Sequence, residues 1–171
     1  MHRNIILTGF MGAGKTSVGV RLAKDLGYAF VDTDGLIEAD QGTTVTEIFS
    51  SFGEAYFRDV ETRIIRQVLE GEDQVIATGG GAVIREENRK AFRERGMTVC
   101  LAARPETVYE RVRQETHRPL LQVPDPLARI RELLAGREQF YRQADLVIET
   151  DGKTVDEVIS EIRQRVRYAC C

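Results

Sequence analysis

Gly9-Phe10-Met11-Gly12-Ala13-Gly14-Lys15-Thr16 follows the apolar, β-branched run Asn4–Thr8. It opens a stretch with Val18, Leu22 and Leu26 at four-residue spacing, stopped by Gly27. The octapeptide fits G-x-x-x-x-G-K-[ST], of which a shuffled chain of this composition would hold roughly 0.003 copies. Strand, glycine-rich turn and helix in that order form a phosphate cradle. The glycines let successive backbone N–H groups turn inward, and the helix N-terminus adds partial positive charge. In such a cradle Lys15 reaches the outer phosphates of a nucleoside triphosphate and the Thr16 hydroxyl binds Mg²⁺.

The remaining chain alternates in the same way. Short apolar runs predict strands at Tyr28–Val31, Gln74–Ala77, Met97–Ala102 and Leu146–Glu149. Helical spacing predicts Phe57–Glu70, Glu86–Arg95 closed by Gly96, Pro105–Arg113, Pro126–Tyr141 and Val155–Val166. Shorter helical pieces are expected at Gly35–Gln41 and Thr46–Phe52, and a loop over Gln114–Asp125. Near-continuous apolar strands between helices require a parallel sheet covered on both faces. A length of 171 residues is enough for one domain that needs no disulfide or metal staple.

Composition removes several classes of function. A net charge of −3 does not suit a protein that coats nucleic acid or an anionic membrane. Three cysteines (Cys100, Cys170, Cys171) and two histidines, without paired Cys-x-x-Cys spacing, do not suit a structural zinc site. No run approaches the apolar length of a membrane span, and Met1-His2-Arg3 is too short a lead for a signal peptide, so a cytoplasmic location is expected. The 24 basic residues comprise four lysines and 20 arginines, a set suited to planar recognition of carboxylate and phosphate.

None of the four lysines follows Asn or Thr, so the guanine-specifying motif of GTPases is missing. The third strand ends in Thr78-Gly79-Gly80-Gly81 rather than in the aspartate expected of a motor ATPase. The run that does end in aspartate is Tyr28–Val31, followed by Asp32-Thr33-Asp34. Two carboxylates two apart at a strand's end can divide the work, one ordering a metal's waters and one meeting a substrate hydroxyl. Asp34 is also compatible with a helix N-cap, and the glycine triplet with close backbone approach or with a mere flexible turn.

Gly9–Thr16, Asp32-Thr33-Asp34, Gly53-Glu54-Ala55-Tyr56-Phe57-Arg58, Gly79-Gly80-Gly81-Ala82, Arg118-Pro119-Leu120-Leu121 and Arg137 followed by Tyr141 occur in order. Together they resemble the shikimate kinases over essentially the whole chain. That resemblance implies a single nucleoside-monophosphate-kinase-like P-loop domain with a five-stranded parallel sheet in the order 2-3-1-4-5. A mobile lid near 112–124 and a substrate-binding helical segment near 33–61 are expected with it. The implied reaction moves the ATP γ-phosphoryl group to the 3-hydroxyl of shikimate, with Mg²⁺ as cofactor and a monomer as the working unit.

By motif match, ATP would be held by Gly12, Ala13, Gly14, Lys15, Thr16, Ser17 and Arg118. The metal would be held by Thr16 and, through water, Asp32. Lys15, Asp34 and Arg118 would be catalytic, and the substrate would meet Asp34, Arg58, Gly79, Gly80, Gly81 and Arg137. Glu61 follows Arg58 at i+3, where it would make a helix-surface ion pair or orient the arginine. A related small-molecule kinase, such as one acting on gluconate, would share the phosphate loop without the combined set. A silent nucleotide-binding regulator would not need the acceptor-side residues.

Overall fold

In the computed structural model, which describes residues 4–113 and 121–169, the first apolar run is strand β1 (Asn4–Thr8), buried at all five positions. It is followed by α1 (Lys15–Leu26), β2 (Ala29–Asp32), α2 (Thr33–Gln41), α3 (Val45–Val68), β3 (Gln74–Ala77), α4 (Glu86–Arg95), β4 (Gly96–Ala102), α5 (Pro105–Val112), α6 (Pro126–Tyr141), β5 (Leu146–Glu149) and α7 (Val155–Ala169). The five strands pair in parallel in the order β2-β3-β1-β4-β5, the order that the resemblance implied.

Burial on both faces explains the unbroken apolar strands. Ile5 and Leu7 of β1 pack with Val18, Leu22, Val158 and Ile162 from α1 and α7. Ile6 points the other way, to Ile65, Leu69 and Phe92. A third cluster joins Phe10 and Cys100 to Val108, Ile130 and Tyr141 under α5 and α6. A fourth, Ile37, Ile48, Phe57, Val60 and Ile64, ties α2 to α3.

The boundaries differ from expectation where a cap or a kink decides them. α2 begins at Thr33 because Asp32 is its N-cap, with Oδ1 accepting from the Asp34 N–H at 3.0 Å. The cap is therefore Asp32 and not Asp34. The two helical pieces expected at Thr46–Phe52 and Phe57–Glu70 meet in α3 at a kink, Gly53, whose φ of 83° and ψ of 172° are non-helical. Thr44 and Glu47 start this helix with a capping box. Gly96 is the first residue of β4 in extended conformation (φ −168°), so α4 runs straight into its strand.

Gly19 has a packing role in mid-helix. A Cβ there would stand 2.5 Å from Phe30 Cε2 and 3.2 Å from Leu7 Cδ1, so its absence lets α1 lie directly on the sheet. Gly19→Leu is expected to lower stability by about 1–3 kcal/mol through overpacking. Urea unfolding should show a lower midpoint at unchanged slope; an unmoved midpoint would mean that α1 can shift at no cost.

Candidate active site

All five strands point their carboxyl ends to one edge, and the strand order sets β2 and β1 on either side of β3. Asp32 is level with Ala77, and Ala77 with Leu7. The acidic turn, the glycine turn and the phosphate loop therefore stand side by side at that edge.

The phosphate loop is shaped by contacts that exclude side chains. Gly9 has φ 135°, and a Cβ there would stand 2.3 Å from the Leu101 carbonyl oxygen. Gly14 has φ 96° and caps α1 with no side-chain hydrogen bond, so the first N–H groups of the helix are left to a ligand. Lys15 Nζ donates to the Gly9 and Phe10 carbonyls at 2.7 and 2.9 Å, and Arg111 donates to the Gly12 carbonyl at 3.0 Å. Thr16 and Ser17 are exposed at the start of α1.

The three glycines after β3 each face something different. A Cβ on Gly79 would stand 2.8 Å from Asp34 Oδ1 and 2.9 Å from Glu61 Oε1. One on Gly80 would stand 3.2 Å from the backbone nitrogen of Met11, in the phosphate loop. One on Gly81 would stand 2.2 Å from Arg58 Nη2. None of the three has a positive φ, so close approach and not backbone freedom calls for glycine here. The Thr33 hydroxyl accepts from the Gly79 N–H at 3.3 Å, and the Tyr141 hydroxyl donates to the Gly80 carbonyl at 2.5 Å.

Arg58 and Arg137 are both buried, 7% exposed each. Arg58 donates to Glu61 at 2.7 Å and to the exposed Glu54 at 3.2 Å, with its guanidinium 5.1 Å from the centre of the Phe57 ring. Arg137 lies over the Phe10 ring at 5.6 Å. Its neighbours Arg129, Arg131 and Arg142 are instead paired at the surface with Glu132, Glu106 and Glu138. Glu61 is completely buried; burial pushes its carboxyl above the usual range against the pull of Arg58, and Asp34 pushes it further. Tyr141 is likewise pushed up by burial, to about 12.

The oxygen donors Thr16 and Asp32 fit Mg²⁺. Two such donors are enough for an ion that takes most of its ligands from phosphate and water; no cluster of three or more His, Cys, Asp or Glu that could hold a metal occurs among the described residues. Lys153, near the end of β5, pairs with Glu161 at 2.6 Å. Arg118, assigned to ATP and catalysis on resemblance, lies outside the described residues, as do His117 and most of the expected lid. Phe10 and Tyr141 are not marked as ligand-facing by spacing, because each acts through a contact distant in sequence, Phe10 with Arg137 and Tyr141 with the Gly80 carbonyl, whereas Glu54 reaches Arg58 one helical turn on.

The family model of the shikimate kinases matches residues 11–167. The chain belongs to the shikimate kinase family. The shikimate kinase of Symbiobacterium thermophilum is 52% identical over 167 residues, 96% of each chain. That of Thermodesulfovibrio yellowstonii is 50% identical over 160 residues, 94% of this chain and 92% of the other. Among solved structures, the shikimate kinase from Acinetobacter baumannii in complex with shikimate superposes with a TM-score of 0.95 at 39% identity, covering 98% of this chain and 94% of that one. Membership of a kinase family accounts for the phosphate loop and makes ATP the co-substrate. No helix among the described residues is long and apolar enough to cross a membrane.

Cys100, in the apolar layer behind the phosphate loop, is buried and its thiol is pushed up to about 11 by burial. A thiol that stays protonated is a poor nucleophile. Alkylation of the native protein at neutral pH, mapped by mass spectrometry, should leave Cys100 unmodified, and denaturation should expose it. Rapid native labelling of Cys100 would contradict this packing.

Proposed function

We propose that this protein transfers the γ-phosphoryl group of ATP to the 3-hydroxyl of shikimate, giving shikimate 3-phosphate and ADP on the route to chorismate and aromatic amino acids. The observation that carries the reading is the pair of buried arginines, Arg58 and Arg137, gathered with Asp34 around Glu61, Arg137 lying over Phe10 of the phosphate loop. The substrate so described has a carboxylate at one end and a hydroxyl at the other.

Phosphoryl transfer asks chiefly for positioning and charge neutralisation. The backbone N–H groups from Gly12 to Ser17 bind the phosphates, and Lys15 exchanges the loop carbonyls for phosphate oxygens. Thr16 and, through water, Asp32 would hold Mg²⁺, which when bound offsets phosphate charge. Asp34 accepts a hydrogen bond from the 3-hydroxyl and takes its proton. Arg58 and Arg137 bind the substrate carboxylate, and Gly79, Gly80 and Gly81 let the substrate approach the backbone. We assign a monomer as the working unit and the cytoplasm, where ATP is supplied, as its location.

A coupled ADP-release assay across shikimate, gluconate and nucleoside monophosphates tests the assignment. Turnover confined to shikimate is expected; ADP production with gluconate alone would overturn it. Lys15→Ala should lower the rate by ~10²–10³-fold, the usual cost of losing one preorganised donor, with the fold intact by circular dichroism.

Arg58→Lys and Arg137→Lys keep the charge but lose the planar fork, so each should raise the KM for shikimate while ATP affinity without shikimate barely moves. Two arginines on one anion should couple, the double variant losing less than the two single losses together. Surface Arg163 is the control, paired with Asp25 at 3.7 Å. An unchanged KM in both variants, or an equal shift in Arg163→Lys, would remove the clamp.

A further inference from the structure

Arg58 already holds a carboxylate that the proposed reaction does not use. Its Nη1 donates to Glu61 at 2.7 Å, while Nε and Nη2 converge on one oxygen of Glu54, Oε1, at 3.4 and 3.2 Å. The two acids are not alike. The Glu61 side chain is wholly enclosed, whereas that of Glu54 is 58% exposed, against 9% for Arg58. The kink at Gly53 makes Glu54 the first residue of the second half of α3, with Arg58 one turn further on. From there Glu54 approaches the guanidinium from the solvent side.

A guanidinium enclosed to this degree needs acceptors for its N–H groups, and Glu54 serves two of them. It does so loosely. A charge-assisted N–H···O bond closes to about 2.7–2.9 Å, as that of Glu61 does, and both Glu54 contacts are longer. An ion pair with one partner this exposed stabilises little, and a released Glu54 carboxylate returns to water. The nitrogen it holds is also the one a substrate needs. Of the guanidinium atoms, Nη2 stands nearest to the bare point at Gly81, in the glycine turn that the substrate approaches. A substrate carboxylate brought close to Nη2 would replace the long contact and repel Glu54.

We infer that Glu54 is a place-holder for the substrate carboxylate, occupying the Nε–Nη2 edge of Arg58 in the free protein and moving out to solvent as that carboxylate binds. This rests on the shikimate kinase reading of the site and adds a specificity device to it. Any anion that engages this edge of Arg58 must first remove Glu54. A small anion with that contact alone gains little by the exchange. A substrate whose carboxylate also meets Arg137, and whose hydroxyl meets Asp34, offsets the loss. Glu61 keeps its bond to Nη1 throughout, so Arg58 stays in place. Glu54 acts on Arg58 and not on the reacting hydroxyl, so its effect falls on binding and not on the chemical step.

Steady-state kinetics and calorimetric titration of Glu54→Gln test the inference. KM and Kd for shikimate should fall by ~2–5-fold at unchanged kcat, the range spanned by exposed ion pairs. Benzoate, a carboxylate without the hydroxyls, should inhibit Glu54→Gln more strongly than the wild type. In an Arg58→Lys background the gain should vanish, because the edge that Glu54 occupies is gone. Asp59, next to Arg58 in sequence and paired with Arg85 at 2.6 Å, is the control, and Asp59→Asn should leave KM unmoved. A KM raised or unchanged in Glu54→Gln, a lowered kcat, equal inhibition by benzoate, a gain that persists with Arg58→Lys, or an equal gain in Asp59→Asn overturns the inference and leaves the shikimate reading standing. Failure of the wild type to turn over shikimate overturns both. Should Glu54→Gln not fold, Glu54→Ala is read against the same outcomes.

Discussion

Parallel pairing of β1 with β3 on one side and β4 on the other is the constraint on which the remaining architecture depends. A strand buried on both faces and paired on both edges has no freedom left in register. Once β1 is placed, the phosphate loop that continues from it is placed too. The loop then fits only because Gly9 can lie against the Leu101 carbonyl and Gly80 against the backbone of Met11. Parallel sheets gather their loops at one edge, and insertion of β3 between β2 and β1 brings the acidic turn and the glycine turn to the phosphate loop.

Holding several charges inside this edge is energetically unfavourable unless each finds a partner. The fold supplies partners of two kinds. Glu61 and Glu54 take the guanidinium of Arg58, and the ring faces of Phe57 and Phe10 lie under the two arginines. Those rings belong to separate apolar clusters, one joining α2 to α3 and one under α5 and α6. Each arginine is thus carried by a different packed unit. The glycine turn that faces them is tied to one unit by Thr33 and to the other by Tyr141. A substrate bound between the arginines would bridge both.

Most element positions were legible because they follow from local periodicity and local sterics. β1, α1, β3, α6 and β5 lie where apolar spacing put them. The departures have local causes that spacing alone does not rank. Asp32 and Asp34 are both good caps, and only the observed Asp32–Asp34 hydrogen bond separates them. Gly53 can end a helix or kink one, and packing of Ile48 and Phe57 in one cluster keeps the two halves of α3 together. Gly96 resembles a helix stop but opens a strand.

The sequence by itself determined the phosphate loop, the parallel α/β class and the presence of an acidic turn, since each is written in neighbouring residues. It could not choose Arg137 from among Arg129 and Arg131 on the same helix and Arg142 at its C-cap, which share its chemistry; resemblance made that choice. Tertiary structure distinguishes them physically: the three neighbours reach glutamates at the surface, while Arg137 turns inward over Phe10. The same holds for the glycine triplet. Its sequence says only that three side chains are missing. That one position faces two carboxyls, the next the phosphate loop and the last a guanidinium was decided by strand order, because those contacts join residues that only non-local pairing brings together.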